Sequence, residues 1–264
     1  MSGESIFHYP ELIYKVDSTP WNVKEIFPVA PAIREEMLPY SSITDYINEN
    51  DWTPVFDISE IEFSPRSSLS NPLTIGRHGR DGAEKWLPSP EDILRTFPEG
   101  DEFKILVLGG AEHAKKVLGR DLPENWTVIP FGGMLPSEYL RKLDAFVYFP
   151  HPNLNEAFGR TVVEAIFAGV PCILPNRFRG TFGKLAIYSS TERVPTVIRH
   201  LASDNSARLA HLTWARSFAE RAFGANSLTL RLPELSLQPA HLLETAVCPP
   251  EVDVYLRSFE SIFE

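Results

Sequence analysis

Cysteine is nearly absent from this chain: Cys172 and Cys248 are the only two among 264 residues. Two cysteines build no disulfide framework, and no Cys/His spacing matches a zinc site. Cys172 lies in the apolar run Val170 to Leu174 and reads as a small buried hydrophobe. Long hydrophobic stretches are also missing. No run approaches the roughly 18 apolar residues that a membrane span needs. The opening MSGESIFHYPELIYK lacks the basic-then-apolar layout of a signal peptide. These absences lead to the expectation of a cytoplasmic protein with no transmembrane segment. Positive charge is in short supply too. A formal net charge of −10 argues against general nucleic-acid or anionic-membrane binding, while leaving room for a local basic pocket. No internal repeat and no low-complexity tract is found.

What the chain does contain is core material. It is 43% hydrophobic and 23% charged, with 17 Phe and five Trp, as expected for a globular protein. Residues 1–70 are irregular, with Phe27 to Ala30 as a short strand and Ala32 to Leu38 as a short helix. SPRSSLSNP, Ser64 to Pro72, reads as a linker. From residue 72 onward apolar runs alternate with helical signals. LTIGRH (73–78), KILVLGG (104–110), WTVIPFGG (126–133), AFVYFPH (145–151), VPCILP (170–175) and the weaker LAIYS (185–189) are predicted strands.

Helices are predicted from Pro90, where Ser89 is the N-cap candidate and Glu91 and Asp92 follow, and over Ala111 to Leu118, stopped by Gly119. Ser137 to Leu143, Phe158 to Ala168, Thr191 to Ala202, Ser206 to Ala222 and Pro250 to Phe263 complete the set. Strands alternating with short helices predict an α/β fold: a Rossmann-like parallel sheet with helices on both faces, behind a short irregular N-terminal segment. Ligands of such sheets bind beyond the carboxyl ends of the strands, which directs attention to the loops after residues 78, 109, 132, 151 and 175.

One of those loops carries chemistry. HPNLNEAFGRTVVEAIFAGVP runs from a strand into a helix that is apolar on nearly every face, yet holds Glu164. A buried carboxylate needs a partner. That partner is a local Arg, a neighbouring loop that the carboxylate caps, or a ligand diol that offers two hydroxyls. Glu156, eight residues earlier, adds a second carboxylate, and Gly159 opens the helix N-terminus to close approach by a ligand.

This segment resembles the E-x7-E motif of retaining glycosyltransferases with the GT-B fold, such as the large family 4. Ala165, Gly169 and Val170-Pro171 continue the A-x-x-x-G-x-P that follows the motif in that family. The resemblance implies the C-terminal, donor-binding half of such an enzyme, using a nucleoside-diphosphate sugar as donor. It implies that Glu156 and the backbone of Phe158-Gly159, with Arg160 beside them, hold the donor sugar, and that Glu164 binds the ribose. It assigns the diphosphate to Arg77, after Gly76, and to Lys85, within IGRHGRDGAEKW (75–86). Diphosphate departure needs paired positive charge where negative charge develops. Arg80 in the same loop reads as a solvated charge.

The resemblance also places Gly109 and Gly110 near the sugar or nucleotide, and Phe131 and Gly132, in IPFGGMLPSEYL, near the base. The glycine pair is equally a tight turn. Phe178 to Gly183 is expected as a last loop near the donor, although it lacks the acidic pattern usual there. His151 ends a strand close to Glu156 and reads more simply as a histidine satisfied within the fold.

No D-x-D occurs, so no metal cofactor is expected; the resemblance implies that positive side chains and a helix N-terminus stand in for it. No G-x-G-x-x-G occurs either, which counts against a dinucleotide dehydrogenase. A complete enzyme of this fold has two Rossmann-like domains. Residues 1–70 are expected to be the remnant of an acceptor domain plus linker, and 71–264 the nucleotide-sugar-binding domain. The alternative is a non-catalytic nucleotide-sugar-binding or interaction module. The chain is read as a fragment of a longer enzyme, or as a half whose exposed apolar surface favours an oligomer or a partner that supplies the missing domain, the acceptor being unspecified.

Overall fold

A computed structural model describes residues 25–59, 61–225, 227 and 247–262. The expectations for the first 24 residues and for residue 263 lie outside that set. In chain order the elements are α1 (Pro31–Met37), α2 (Ser41–Thr44), β1 (Leu73–His78), α3 (Pro90–Thr96), β2 (Phe103–Leu108), α4 (Glu112–Leu118), β3 (Trp126–Ile129) and α5 (Pro136–Leu140). They continue with β4 (Ala145–Val147), α6 (Arg160–Ala168), β5 (Cys172–Leu174), α7 (Arg179–Phe182), β6 (Ile187–Tyr188), α8 (Val194–His200), α9 (Asn205–Phe223) and α10 (Pro250–Ser261).

The strands form one six-stranded sheet in the order β3-β2-β1-β4-β5-β6, and every pairing is parallel. Each predicted strand is present, several of them shorter than its apolar run. Residues beyond the carboxyl ends, such as Tyr148 to His151 after β4, leave the sheet to build loops.

Both faces are covered, which is why the strands lack a polar face. Along β2, Ile105 and Val107 join a core with Trp86, Ile93, Val197, Ile198, Tyr255 and Phe259. Leu106 and Leu108 point the opposite way, into a core with Phe146, Val163, Phe167, Phe218 and Phe223. Period-two alternation thus feeds two separate cores. α6 is bounded by Gly159 and Gly169, both with left-handed backbone, and buries every residue from Val162 to Ala168. α10 packs on the same sheet unit: Tyr255 and Phe259 are in its core, and Lys184 Nζ lies 2.7 Å from Asp253 Oδ1.

Two expectations change, and a third segment gains detail. Phe27 to Ala30 is not a strand; the pairing there is a single bridge between Ile26 and Ile47. Phe178 to Gly183 is not an open loop but the short helix α7, whose Phe182 is fully buried beneath Phe158. The Ser- and Pro-rich linker is fastened down by buried charge. Asp144 accepts from the backbone N–H of Ser70 and of Thr74, and Arg208 donates to the carbonyl of Arg66. Residues 25–59 keep a small cluster around Met37 and Ile43, and send Ala30 and Phe56 into the sheet's core.

Candidate functional site

The strand order reverses between β1 and β4, so the crevice at their carboxyl ends is the place where this topology admits a ligand. β1 delivers Arg77 and His78 there on opposite faces. The loop that follows carries Asp81 and Lys85, β4 runs out into Tyr148, and Glu156 lies in the loop ahead of α6.

Lys85 and Glu156 are brought together. Lys85 Nζ is 2.7 Å from Glu156 Oε2 and 3.3 Å from the Tyr148 hydroxyl oxygen. The Tyr148 hydroxyl donates to the same Oε2. Burial first, and the adjacent Glu156 carboxylate second, push the Tyr148 phenol well above its ordinary range, so it remains a proton donor.

Arg77 sits behind this group, 2% exposed. Its guanidinium stacks on the Trp86 ring at 3.9 Å, and Nη2 donates to the Lys85 carbonyl at 3.2 Å. Burial lowers its pKa to about 10, still leaving it charged near neutrality. Its Nη1 is buried without a hydrogen-bond partner.

Glu164 is 9% exposed inside α6. Arg160 Nε lies 2.8 Å from Oε1, and His78 Nε2 lies 3.2 Å from Oε2. Burial alone would raise this carboxyl, but His78 and Arg160 outweigh it and hold the pKa below the ordinary value. The local arginine of the sequence reading is therefore Arg160. Each carboxylate oxygen keeps further acceptor capacity for a ligand hydroxyl.

Two helix N-termini near this edge of the sheet differ. Asp81 fills that of α4, accepting from the N–H of Glu112 at 2.5 Å and of His113 at 3.3 Å, while Trp86 Nε1 donates to it at 2.9 Å. α6 begins on Gly159, which has no side chain with which to cap it. An incoming anion therefore finds open amides at α6 and a carboxylate at α4. Gly159 has φ +95°, a backbone that favours glycine, and leaves Phe158 buried against Phe56, with ring centroids 5.9 Å apart.

The glycine pair proves to be a point of backbone contact. A Cβ on Gly109 would lie 2.1 Å from the Gly79 carbonyl oxygen, and one on Gly110 would lie 3.0 Å from the Asp81 Cβ. Phe131 is 77% exposed and Gly132 is also at the surface; no described contact joins either to Glu156 or Glu164. Arg80 is exposed. His151 accepts from the N–H of Asn153 and donates its own N–H to the Glu84 carbonyl, tying the loop after β4 to the loop after β1.

Tyr148, His78, Asp81 and Arg177 escaped the sequence reading. Arg177, in the turn after β5, donates to the carbonyls of Pro152 at 2.6 Å, Pro150 at 3.0 Å and His151 at 3.1 Å, and so holds the Glu156-bearing loop. Only Tyr148 left a trace, as the one hydroxyl within AFVYF. Among the described residues no His, Cys, Asp or Glu cluster suits a metal ion, and no helix is long and apolar enough to cross a membrane.

No family model matches the sequence, and no curated protein matches it significantly. Solved structures do match in fold, and glycosyltransferases are among them. HepE of Anabaena, in complex with UDP-glucose, superposes with a TM-score of 0.65 at 14% identity, over 87% of this chain and 68% of that one. A glycosyltransferase from Rickettsia africae gives 0.55 at 13% identity, over 96% and 66%. WaaG, a glycosyltransferase involved in lipopolysaccharide biosynthesis, gives 0.53 at 18%, over 84% and 63%. The class defined is a Rossmann-like α/β sheet of the kind found in GT-B glycosyltransferases. This chain spans about two thirds of the length of those proteins.

Proposed function

We propose that this chain binds a nucleoside-diphosphate sugar at the β1/β4 switch point and serves glycosyl transfer with retention at the anomeric carbon. The observation that carries this reading is the Lys85–Glu156 pair, 2.7 Å apart, beside the uncapped N-terminus of α6. Lys85 and the first amides of α6 receive the diphosphate, whose leaving oxygen gains negative charge as the bond to the sugar breaks. Glu156 accepts from sugar hydroxyls, and Glu164 from the ribose. Arg77 holds the Lys85 backbone and adds positive charge behind it. Gly109 and Gly110 allow the two loops to meet, and Phe131-Gly132 lie on the base side. The reading needs no metal. Support comes from the fold shared with HepE, which was solved with UDP-glucose bound.

Residues beyond about 70 form the donor half on this reading, and residues 25–59, fastened through Ala30 and Phe56, begin the acceptor side. A second reading, donor binding without transfer by this chain alone, is favoured by the single sheet found among the described residues. A thermal-shift screen of UDP, GDP, ADP and their sugars tests both readings. One nucleotide series is expected to raise the melting temperature, because specific binding stabilises the folded state. A flat response across the screen overturns both. Donor turnover, with the product's anomeric configuration determined, then separates transfer from binding alone.

A further inference from the structure

Glu156 is held at one oxygen only. Lys85 and Tyr148 both donate to Oε2, and among the described residues nothing donates to Oε1. Lys85 has a competing claim, because the diphosphate of the preceding reading draws the same ammonium. Tyr148 has none: it is 3% exposed, and its ring is wedged between Phe146, stacked at 6.4 Å, and Phe178, edge-on at 5.9 Å. When Lys85 turns to the phosphate, the Tyr148 hydroxyl is the donor that remains on Glu156. Arg177 faces the same pair from the turn after β5, with its own donors spent on three loop carbonyls.

We propose that Tyr148 is a positioning residue that keeps Glu156 turned so that its free Oε1 meets the hydroxyls of the donor sugar. The inference rests on the nucleotide-sugar reading and makes a narrower statement. Removing the hydroxyl should spoil sugar recognition and spare the nucleotide.

The test is the Tyr148→Phe variant of the full chain, which keeps the ring packing. Dissociation constants are measured for UDP-glucose, UDP-galactose, UDP-N-acetylglucosamine, GDP-mannose and ADP-glucose, each beside its own free nucleoside diphosphate. For the best donor, the gain in affinity due to the sugar should fall roughly tenfold, as expected when a charge-assisted hydrogen bond is lost, with free-nucleotide affinity within about twofold of wild type. A merely structural defect would weaken both together. A urea-unfolding cycle with Glu156→Ala supplies a ligand-free arm. Tyr148→Phe should lower the midpoint in the wild-type background, and by less than half as much once Glu156 is gone. A full sugar gain in Tyr148→Phe, or additive midpoint shifts, overturns the inference while the donor reading stands. A wild type that binds none of the eight ligands overturns the donor reading, and the sugar role of Tyr148 with it.

Discussion

Lys85 and Glu156 stand 71 positions apart in the chain and 2.7 Å apart in space. Their meeting is a product of the parallel sheet. β1 and β4 are hydrogen-bonded neighbours, so the loops that leave their carboxyl ends share one crevice.

Replacing Lys85 tests the phosphate side of that crevice. Lys85→Ala should weaken nucleoside-diphosphate binding roughly 10- to 100-fold, the range for hydrogen bonds to charged groups. The pair is partly solvated, so the melting temperature should move little. Calorimetric titration beside a thermal melt reads both, and undiminished nucleotide affinity would remove Lys85 from the site.

Glu164 makes a different prediction. Glu164→Gln keeps the shape and weakens acceptance from two ribose hydroxyls. The preference for a ribonucleotide over its 2′-deoxy form should shrink by several-fold, at roughly 1 kcal/mol per altered hydrogen bond. Competition binding with the two nucleotides checks it; an unaltered preference would mean that Glu164 serves only Arg160 and His78.

Gly109 is expected to resist substitution. It has φ +109°, and an added Cβ would meet the Gly79 backbone oxygen, which no side-chain rotation relieves. Gly109→Ala should cost about 2 kcal/mol or more, combining left-handed strain with a displaced loop. Gly119→Ala is the comparison: it also has positive φ, +65°, but open space around it, and should cost less.

Two other buried groups should shape the acid response in opposite senses. His211 donates its Nε2–H to the Lys184 carbonyl oxygen at 2.9 Å, and burial lowers its pKa from 6.5 to about 4. The folded state keeps it neutral, so this contribution is full above pH 6.5 and is lost as pH falls toward 4. Asp51, 2.6 Å from Arg34, is raised by burial from 3.8 to about 6 against the pull of that arginine. Its folded form holds the proton more tightly, so its contribution is full below 3.8 and is lost as pH rises through 6. Asp51→Asn should therefore lose melting temperature more steeply than wild type between pH 6.5 and 4, and His211→Gln less steeply. Parallel melting profiles for all three proteins would contradict this.

The sheet was legible because its causes are local. Continuous apolar runs such as KILVL and VPCIL can be satisfied only with cover on both faces, and the structure puts a separate core on each. Gly159 and Gly169 bound α6 because the chain there takes backbone angles that side chains avoid, and glycine is visible in the sequence. Phe178 to Gly183 misled because its aromatics serve the core: Phe182 packs under Phe158, a long-range contact that turns an expected loop into a short helix.

By itself, then, the sequence determined the strands, the bounded helix and the two carboxylates eight residues apart, since periodicity and backbone preference act over a few residues. Tertiary structure alone decided the partners: Lys85 and Tyr148 for Glu156, His78 for Glu164, Trp86 for Arg77 and Asp81 for the amides of α4. Most of those pairings join different loops, and which loops meet depends on the strand order, which no local preference encodes.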